Sequence, residues 1–357
     1  MVSEDPTARG RSAGDSGLDG GGRFAADHEG AARVRVKRDI KPRLNRSDLV
    51  FHAIARAGGS VMLVTMLLIG AFLAFRAAQA LHAAGWHFLT NQAWNPGSGA
   101  FGIAAVMTGT FLIAGVAIVF GVPLSIGTAL FISEYCPRRW QRLCIAVIDL
   151  MAAVPSVIFG LWGFFLLQWK VTSVSDWLST WFSWIPLFHV NNVDRNNPLT
   201  TPTTFTSSSF DAGLVVALMI TPIISSVMRE AFSQAPAGER EGAYALGSTR
   251  WGMIRSVVLP FGRGAMIGGT MLGLGRALGE TLAVTLIISP VYAIQTHILQ
   301  HGTSSISSLI ALHYGESTPF GISALMAAGL ALFAVTLLVN FIAAQIVARS
   351  RSGAQSE

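Results

Sequence analysis

The stretch from Glu239 to Pro260 reads EREGAYALGSTRWGMIRSVVLP, and the fold can be worked out from it. The stretch is charged, yet apolar runs at 212–228 and 265–291 flank it, and each is long enough to cross the hydrocarbon core of a membrane. Gly247 is a residue type that commonly follows the end of a helix, and Pro260 is a type that cannot continue one. The sequence therefore predicts a short helix, a turn and a second amphipathic piece at one face of a membrane.

Four more apolar runs, at 58–75, 102–132, 143–169 and 321–347, bring the number of predicted spans to six. Pro123, Pro155 and Pro222 lie inside the second, third and fourth runs, where membrane helices tolerate a kink. These runs predict an all-α membrane protein with six transmembrane helices.

The composition excludes a soluble enzyme and a soluble nucleic-acid binder. Hydrophobic residues make up 52% of the chain and charged residues 12%, against roughly a quarter charged in ordinary soluble domains. Membrane lipid is the expected surrounding, and no nucleic-acid partner is expected. Residues 1–57 carry 19 of the 44 charged residues and few aromatic ones, which predicts a disordered basic tail. The first span and an outer loop then occupy 58–100, the main membrane core 101–348, and a second tail 349–357.

The positive charge is concentrated in alternate loops. Segments 1–57, 133–142, 229–263 and 348–357 carry 21 of the 25 lysines and arginines, whereas 77–101, 170–211 and 292–320 carry two. Because cytoplasmic loops of membrane proteins are enriched in lysine and arginine, this distribution places both termini in the cytoplasm.

The spacing within the opening stretch resembles the EAA motif of ABC-importer permeases. That motif has a glutamate and two small residues, then glycine after three residues, then an aliphatic residue and Leu-Pro further on. The matching positions are Glu241, Gly242, Ala243, Gly247, Val257, Leu259 and Pro260. Gly242 in place of alanine and Val257 in place of isoleucine are the departures, and neither is disruptive.

Three other stretches resemble the PstC-type permease subunit of the phosphate-specific ABC importer. They are GVPLSIGTALFISEY at 121–135, VPSVIFGLWG at 154–163 and MLGLGRALGETLAV at 271–284, and the resemblance covers about residues 50–348. It implies a type I ABC importer permease fold, with a coupling helix at about 236–258 that docks on a cytoplasmic ATPase. The implied location is a bacterial cell membrane.

The resemblance also implies partners. They are inorganic phosphate, a sister PstA-type permease, a PstB-type ATPase dimer that binds ATP and magnesium, and an extracytoplasmic PstS-type phosphate-binding protein. No cofactor is expected on this chain, since no lysine follows a glycine and the phosphate loop of ATPases is therefore missing. The chain is expected to be a transport subunit rather than an enzyme, and its two cysteines have no metal-ligand spacing.

The candidate substrate-binding residues are charged or polar groups inside the predicted spans. Arg276 and Glu280 are one helical turn apart in the fifth run, and ionisable groups at membrane depth usually serve function. The arginine fork suits a tetrahedral oxyanion, and Glu280 can accept the proton-bearing oxygen of hydrogen phosphate through a hydrogen bond, or pair with Arg276 when no anion is bound. Asp149, in the third run, and Ser156, beside Pro155, are further candidates for the pathway.

Three alternatives stay open at this point. Arg276 and Glu280 can form an ion pair that only fixes helix packing. The carried anion can be another oxyanion, such as sulfate or molybdate, although a dianion without a proton should be repelled by Glu280. An intramembrane enzyme would need Asp149 and Glu280 as paired acids, and nothing in the sequence brings those two residues together.

Overall fold

The computed structural model describes residues 46–191, 193 and 200–352, and most of these residues are helical. The α-helices are α1 (Arg46–Ala84), α2 (His87–Thr90), α3 (Ala104–Leu130), α4 (Arg138–Ala153), α5 (Ser156–Trp162), α6 (Gln168–Trp181), α7 (Thr200–Phe205), α8 (Ser209–Ser233), α9 (Ala237–Ala245), α10 (Arg250–Met253), α11 (Leu259–Gly279), α12 (Leu282–Ile287), α13 (Ile306–His313) and α14 (Pro319–Ser352). A two-stranded antiparallel hairpin, β1 (Trp94–Asn95) and β2 (Ala100–Phe101), lies between α2 and α3. Wider π-helical turns occur at Phe131–Tyr135, Gly163–Leu167 and Ile254–Val258.

Most of the basic tail predicted over 1–57, and the end of the tail predicted over 349–357, lie outside the described residues. Residues 46–57 differ from the prediction, because α1 begins at Arg46 and they are helical. Apolar residues in this part, Leu49, Val50 and Ile54 among them, extend the apolar run toward the N-terminus.

Within residues 46–191, 193 and 200–352, six helical stretches are long and apolar enough to cross a membrane, which agrees with the predicted number. They are Ser47–Ala84, Ala104–Tyr135, Ser156–Trp181, Ser209–Ser233, Arg250–Gly279 and Pro319–Ile346. The chain is therefore a multi-pass membrane protein. Which side of the membrane the termini face stays a prediction.

The third span begins later than predicted. The helix that starts at Arg138 ends at Ala153, and the backbone of Val154 is extended, with ψ of 128°. A residue before proline avoids the helical region because the proline ring clashes with it, so Pro155 separates α4 from α5 rather than kinking one helix. The prediction that Asp149 lies inside the third span is therefore wrong, because Asp149 belongs to α4.

The fifth span also differs from its prediction, at both ends. Pro260 does not stop a helix: it stands in the first turn of α11, and the helical path from α10 continues through it. The π-helical turn Ile254–Val258 precedes it and joins α10 to α11. At the other end, α11 stops at Gly279 instead of continuing to residue 291.

The core that carries these elements is a set of closely packed helices. At the α3–α8 contact, a Cβ on Gly213 would lie 2.5 Å from the Cβ of Val116, so only glycine permits this approach. At the α8–α11 contact, a Cβ on Gly273 would lie 2.3 Å from Ile224. Buried apolar residues of all three helices form one cluster, which includes Ile113, Ile220 and Leu278. Helix α11 is thereby held against α8, and α8 against α3.

Candidate functional site

The fifth span breaks where the sequence predicted a charged pair on one helical face. Arg276 lies in the last turn of α11, and Glu280 follows Gly279 with an extended backbone, at φ −67° and ψ 125°. Helix α12 starts again at Leu282. A cation at the C-terminal end of a helix is favoured by the helix dipole, so the last turn of α11 suits Arg276.

Glu280 is held in place by two hydrogen bonds. Its Oε1 accepts a hydrogen bond of 3.2 Å from the backbone N–H of Ala283, in the first turn of α12. Its backbone carbonyl accepts another, of 2.7 Å, from Oγ of Ser307. A carboxylate that caps a helix N-terminus is stabilised by the free N–H groups and by the dipole. The residue is buried and has a fixed orientation.

Arg276, in contrast, is exposed beside an open cavity. Among the residues that the structure describes, none accepts a hydrogen bond from it or forms an ion pair with it. The ion pair with Glu280, which the sequence allows in the absence of an anion, is therefore not formed. The carboxylate of Glu280 points to the start of α12 instead, because the chain leaves the helical path at that residue.

The cavity beside Arg276 has a volume of about 590 Å³, and both charged residues line it. Two polar residues of α14, Thr336 and Asn340, lie on its other wall. The rest of the lining is apolar or glycine: Ile223, Met271, Leu272, Gly275 and Gly279. One arginine fork, a carboxylate, an amide and a hydroxyl in an apolar wall form a suitable surface for a small polar anion.

The sequence analysis did not single out Thr336 and Asn340. The available signal was Asn340 itself, an amide in the middle of the sixth apolar run, because polar side chains at membrane depth usually face a partner or a cavity.

The two other candidate pathway residues do not line this cavity. Asp149 is exposed on α4. Ser156 is half-buried at the first turn of α5, and α5 packs closely on α12: a Cβ on Gly160 would lie 2.8 Å from the Cα of Ala283. Ser156 therefore belongs to a helix that contacts the one capped by Glu280.

The first half of the EAA-like stretch forms α9 and its termination, as predicted. Gly247 adopts φ of +83°, which favours glycine. The N–H of Gly247 donates to the carbonyl of Tyr244 at 2.9 Å, and the N–H of Ser248 donates to the carbonyl of Ala243 at 3.1 Å. These two hydrogen bonds form a Schellman motif. Glu241 and Gly242 are exposed, whereas Ala243 packs against the buried core.

The second half of the stretch belongs to the long helix of the fifth span. Val257 lies in the π-helical turn, and Leu259 and Pro260 are the first two residues of α11. Leu259 packs against the core, so its side chain holds the base of the span rather than facing outward. The predicted coupling helix at 236–258 is thus a helix, a turn and the start of a span.

The turn between α9 and the fifth span presents large apolar side chains to the outside. Leu246, in the turn, is 90% exposed, and Trp251, the second residue of the fifth span, is 56% exposed. Large exposed apolar groups beside the charged residues of α9 form a candidate contact surface for another protein.

In the described part of the chain, six helices that can span a membrane and a cavity lined by two charged residues at a helix break are typical of a membrane transport protein. The chain belongs to the family described as binding-protein-dependent transport system inner membrane component, which matches residues 121–352.

Named relatives cover almost the whole chain. It is 39% identical over 319 residues to phosphate transport system permease protein PstC 2 of Mycobacterium tuberculosis, covering 88% of this chain and 96% of the relative. It is 36% identical over 336 residues to PstC of Mesorhizobium japonicum, covering 93% and 100%.

A solved structure supports the fold. A bacterial ABC transporter involved in the import of the acidic polysaccharide alginate has a chain that matches 85% of this one, with 96% of its own length covered. The TM-score is 0.52 at 19% identity. The predicted type I ABC importer permease fold is therefore confirmed.

Proposed function

We propose that this chain is the PstC-type permease subunit of an ATP-driven importer of inorganic phosphate. The observation that carries the proposal is Arg276, an exposed arginine without a partner among the described residues, beside a cavity within the membrane-spanning part. An intramembrane charge is costly and is retained where it faces a substrate path or a partner. The names of the relatives point to phosphate as the anion.

The geometry around Arg276 suggests how phosphate is bound. The guanidinium donates two parallel hydrogen bonds to phosphate oxygens, since its charge persists at any working pH. Oε1 of Glu280 is engaged by Ala283, which leaves Oε2 to accept a hydrogen bond from the P–OH group of hydrogen phosphate. Sulfate carries no such proton at neutral pH, so the same carboxylate repels it. Asn340 and Thr336 complete the wall with neutral hydrogen-bonding groups.

The coupling segment, which comprises α9, the turn after it and α10 (residues 237–253), supplies the connection to ATP hydrolysis. We place α9, with exposed Glu241 and Gly242, in a groove of a PstB-type ATPase dimer, which binds ATP and magnesium. A sister PstA-type permease completes the pathway, and an extracytoplasmic PstS-type protein delivers phosphate to it. Both termini then face the cytoplasm, and alternating access follows as the ATPase dimer closes and opens.

Labelled phosphate uptake in cells tests this proposal. Arg276→Gln should lower uptake at least about 100-fold, because two charge-assisted hydrogen bonds are lost. The ATPase should still copurify with the variant. Arg263→Gln is the matched control, since Arg263 is an exposed arginine on the same helix outside the cavity, and it should transport normally.

Competition with sulfate provides the second arm of the test. Unlabelled sulfate should not reduce phosphate uptake by the unaltered transporter, whereas Glu280→Gln should make uptake more sensitive to it. Normal uptake by Arg276→Gln would refute the assignment of the site. Uptake of labelled sulfate or molybdate in preference to phosphate would refute the assignment of the anion.

A further inference from the structure

Arg240 of α9 joins three separate elements through one guanidinium group. Its Nε donates to the carbonyl of Ala235 at 3.2 Å, and its Nη2 donates to the carbonyl of Phe232, in the last turn of α8. Its Nη1 donates to Oε2 of Glu134 at 3.1 Å and lies 3.0 Å from Oε1. Since all three nitrogens are engaged, the position of α9 is tied to the ends of the second and fourth spans.

Glu134 requires this partner. Its side chain is 4% exposed, and it lies in the π-helical turn Phe131–Tyr135 at the end of the second span. A buried carboxylate is costly unless a cation or several hydrogen bonds compensate it. Within the described part of the chain, Arg240 is the cation that does so, and Oε1 has no hydrogen bond besides this ion-pair contact.

A second contact ties the other end of the coupling segment to the same turn. The guanidinium carbon of Arg250 lies 5.0 Å from the ring centroid of Tyr135, within range of a cation–π interaction. Arg250 is the first residue of α10, after the turn that follows α9. Two consecutive residues of the second span, Glu134 and Tyr135, thus hold both sides of the coupling segment.

The face of α9 that carries Arg240 is not the face available for docking. Arg240 and Ala243, three residues apart on one side of the helix, point into the membrane part of the subunit. Glu241 and the exposed Leu246 lie outside. A force applied to the exposed face of α9 is therefore passed to Glu134 through Arg240 on the opposite face of the helix.

We propose that the ion pair between Glu134 and Arg240, supported by Arg250 on Tyr135, makes the coupling segment and the second span move together when the ATPase moves α9. The inference rests on the proposed function and adds the positioning residues through which movement enters the membrane part. Because α3 packs on α8 and α8 on α11, the same movement reaches the helix that carries Arg276.

The test uses the complete transporter, with its sister permease and ATPase, in proteoliposomes loaded with ATP. Glu134→Gln/Arg240→Gln replaces the ion pair by two amides and leaves no buried charge unpaired. Glu230→Gln is the matched control, because Glu230 is an exposed carboxylate at the end of α8 that contacts only Gln234 among the described residues. Phosphate transported per ATP hydrolysed is measured with phosphate-loaded binding protein outside.

The double variant should assemble with its ATPase and hydrolyse ATP, but the phosphate-to-ATP ratio should fall about tenfold, the effect of losing one strong charge-assisted contact. Hydrolysis should also lose its stimulation by the loaded binding protein. Arg240→Lys keeps the ion pair and should retain most of the ratio. A lower ratio in a double variant that still assembles and hydrolyses ATP is the result that a purely structural role would not predict.

A normal ratio in the double variant would overturn the proposal. Failure of the double variant to assemble would also overturn it, since the pair would then build the subunit rather than transmit movement. Absence of phosphate uptake by the unaltered transporter would refute the proposed function instead, so the two failures are distinguishable.

Discussion

Arg240, in the coupling segment, has all three guanidinium nitrogens engaged, whereas Arg276, beside the cavity, has no partner in the part of the chain that the structure describes. Each arginine has a glutamate in its vicinity. Glu134 faces Arg240 as a buried counter-ion, while Glu280 turns its carboxylate away to cap α12.

The difference separates a mechanical role from a binding role. A fully satisfied buried pair resists rearrangement, because breaking it leaves an uncompensated charge in a low-dielectric region. An unsatisfied arginine beside a cavity gains interactions when an anion arrives, so its free energy is available for binding. Substitutions at the two positions should therefore affect different properties of the transporter.

The largest effect should come from removing the cation of the satisfied pair. Arg240→Ala should lower the free energy of unfolding by about 2–3 kcal/mol, because the buried carboxylate of Glu134 loses its partner while the partly exposed arginine softens the loss. Thermal unfolding of the purified transporter in detergent measures the change.

Arg276→Ala is the natural comparison, since it removes an exposed arginine without a described partner. It should change the unfolding free energy by no more than about 0.5 kcal/mol. Equal destabilisation by the two substitutions would break the distinction between the two regions.

A smaller effect should follow from a substitution that keeps the positive charge at position 276 but removes the planar guanidinium group. Arg276→Lys should lower phosphate uptake about tenfold, roughly 1.4 kcal/mol, because an ammonium group cannot donate two parallel hydrogen bonds. Uptake rates at a fixed concentration of loaded binding protein provide the measurement. Full activity with lysine would show that a point charge is sufficient, and a loss as large as with glutamine would show that the fork alone matters.

The features of the fold that depend on local pattern were predictable. Six spans follow from runs of apolar residues, and the end of α9 follows from Gly247. Proline was a weaker guide. Pro123 and Pro222 lie inside continuous helices that pack on one another. Pro155 instead separates two helices. No residue of the preceding helix, α4, is buried, so α4 lacks the packing that accompanies the two continuous helices.

The features that depend on contacts between distant segments were not predictable. Arg240 and Glu134 are 106 residues apart, and no periodicity links them. Helical spacing predicts that Arg276 and Glu280 lie on one helical face, and this prediction is wrong because the helix ends between the two residues. The sequence shows that Asn340 is an amide within an apolar run. It does not show that α14 packs beside α11 and brings Asn340 to the same cavity as Arg276.

The smallest effect should come from Asn340, one of the two neutral polar residues that line the cavity. Asn340→Ala should lower phosphate uptake roughly threefold, since one neutral hydrogen bond contributes about 0.5–1 kcal/mol. Gln345→Ala, an exposed amide on the same helix outside the cavity, is the control and should be neutral. If Asn340→Ala transports normally while Arg276→Lys does not, anion recognition does not involve Asn340 and depends on the charged residues Arg276 and Glu280. A threefold loss of uptake would show that Asn340 of α14 contributes to anion binding. It would thereby place the anion between the fifth and sixth spans.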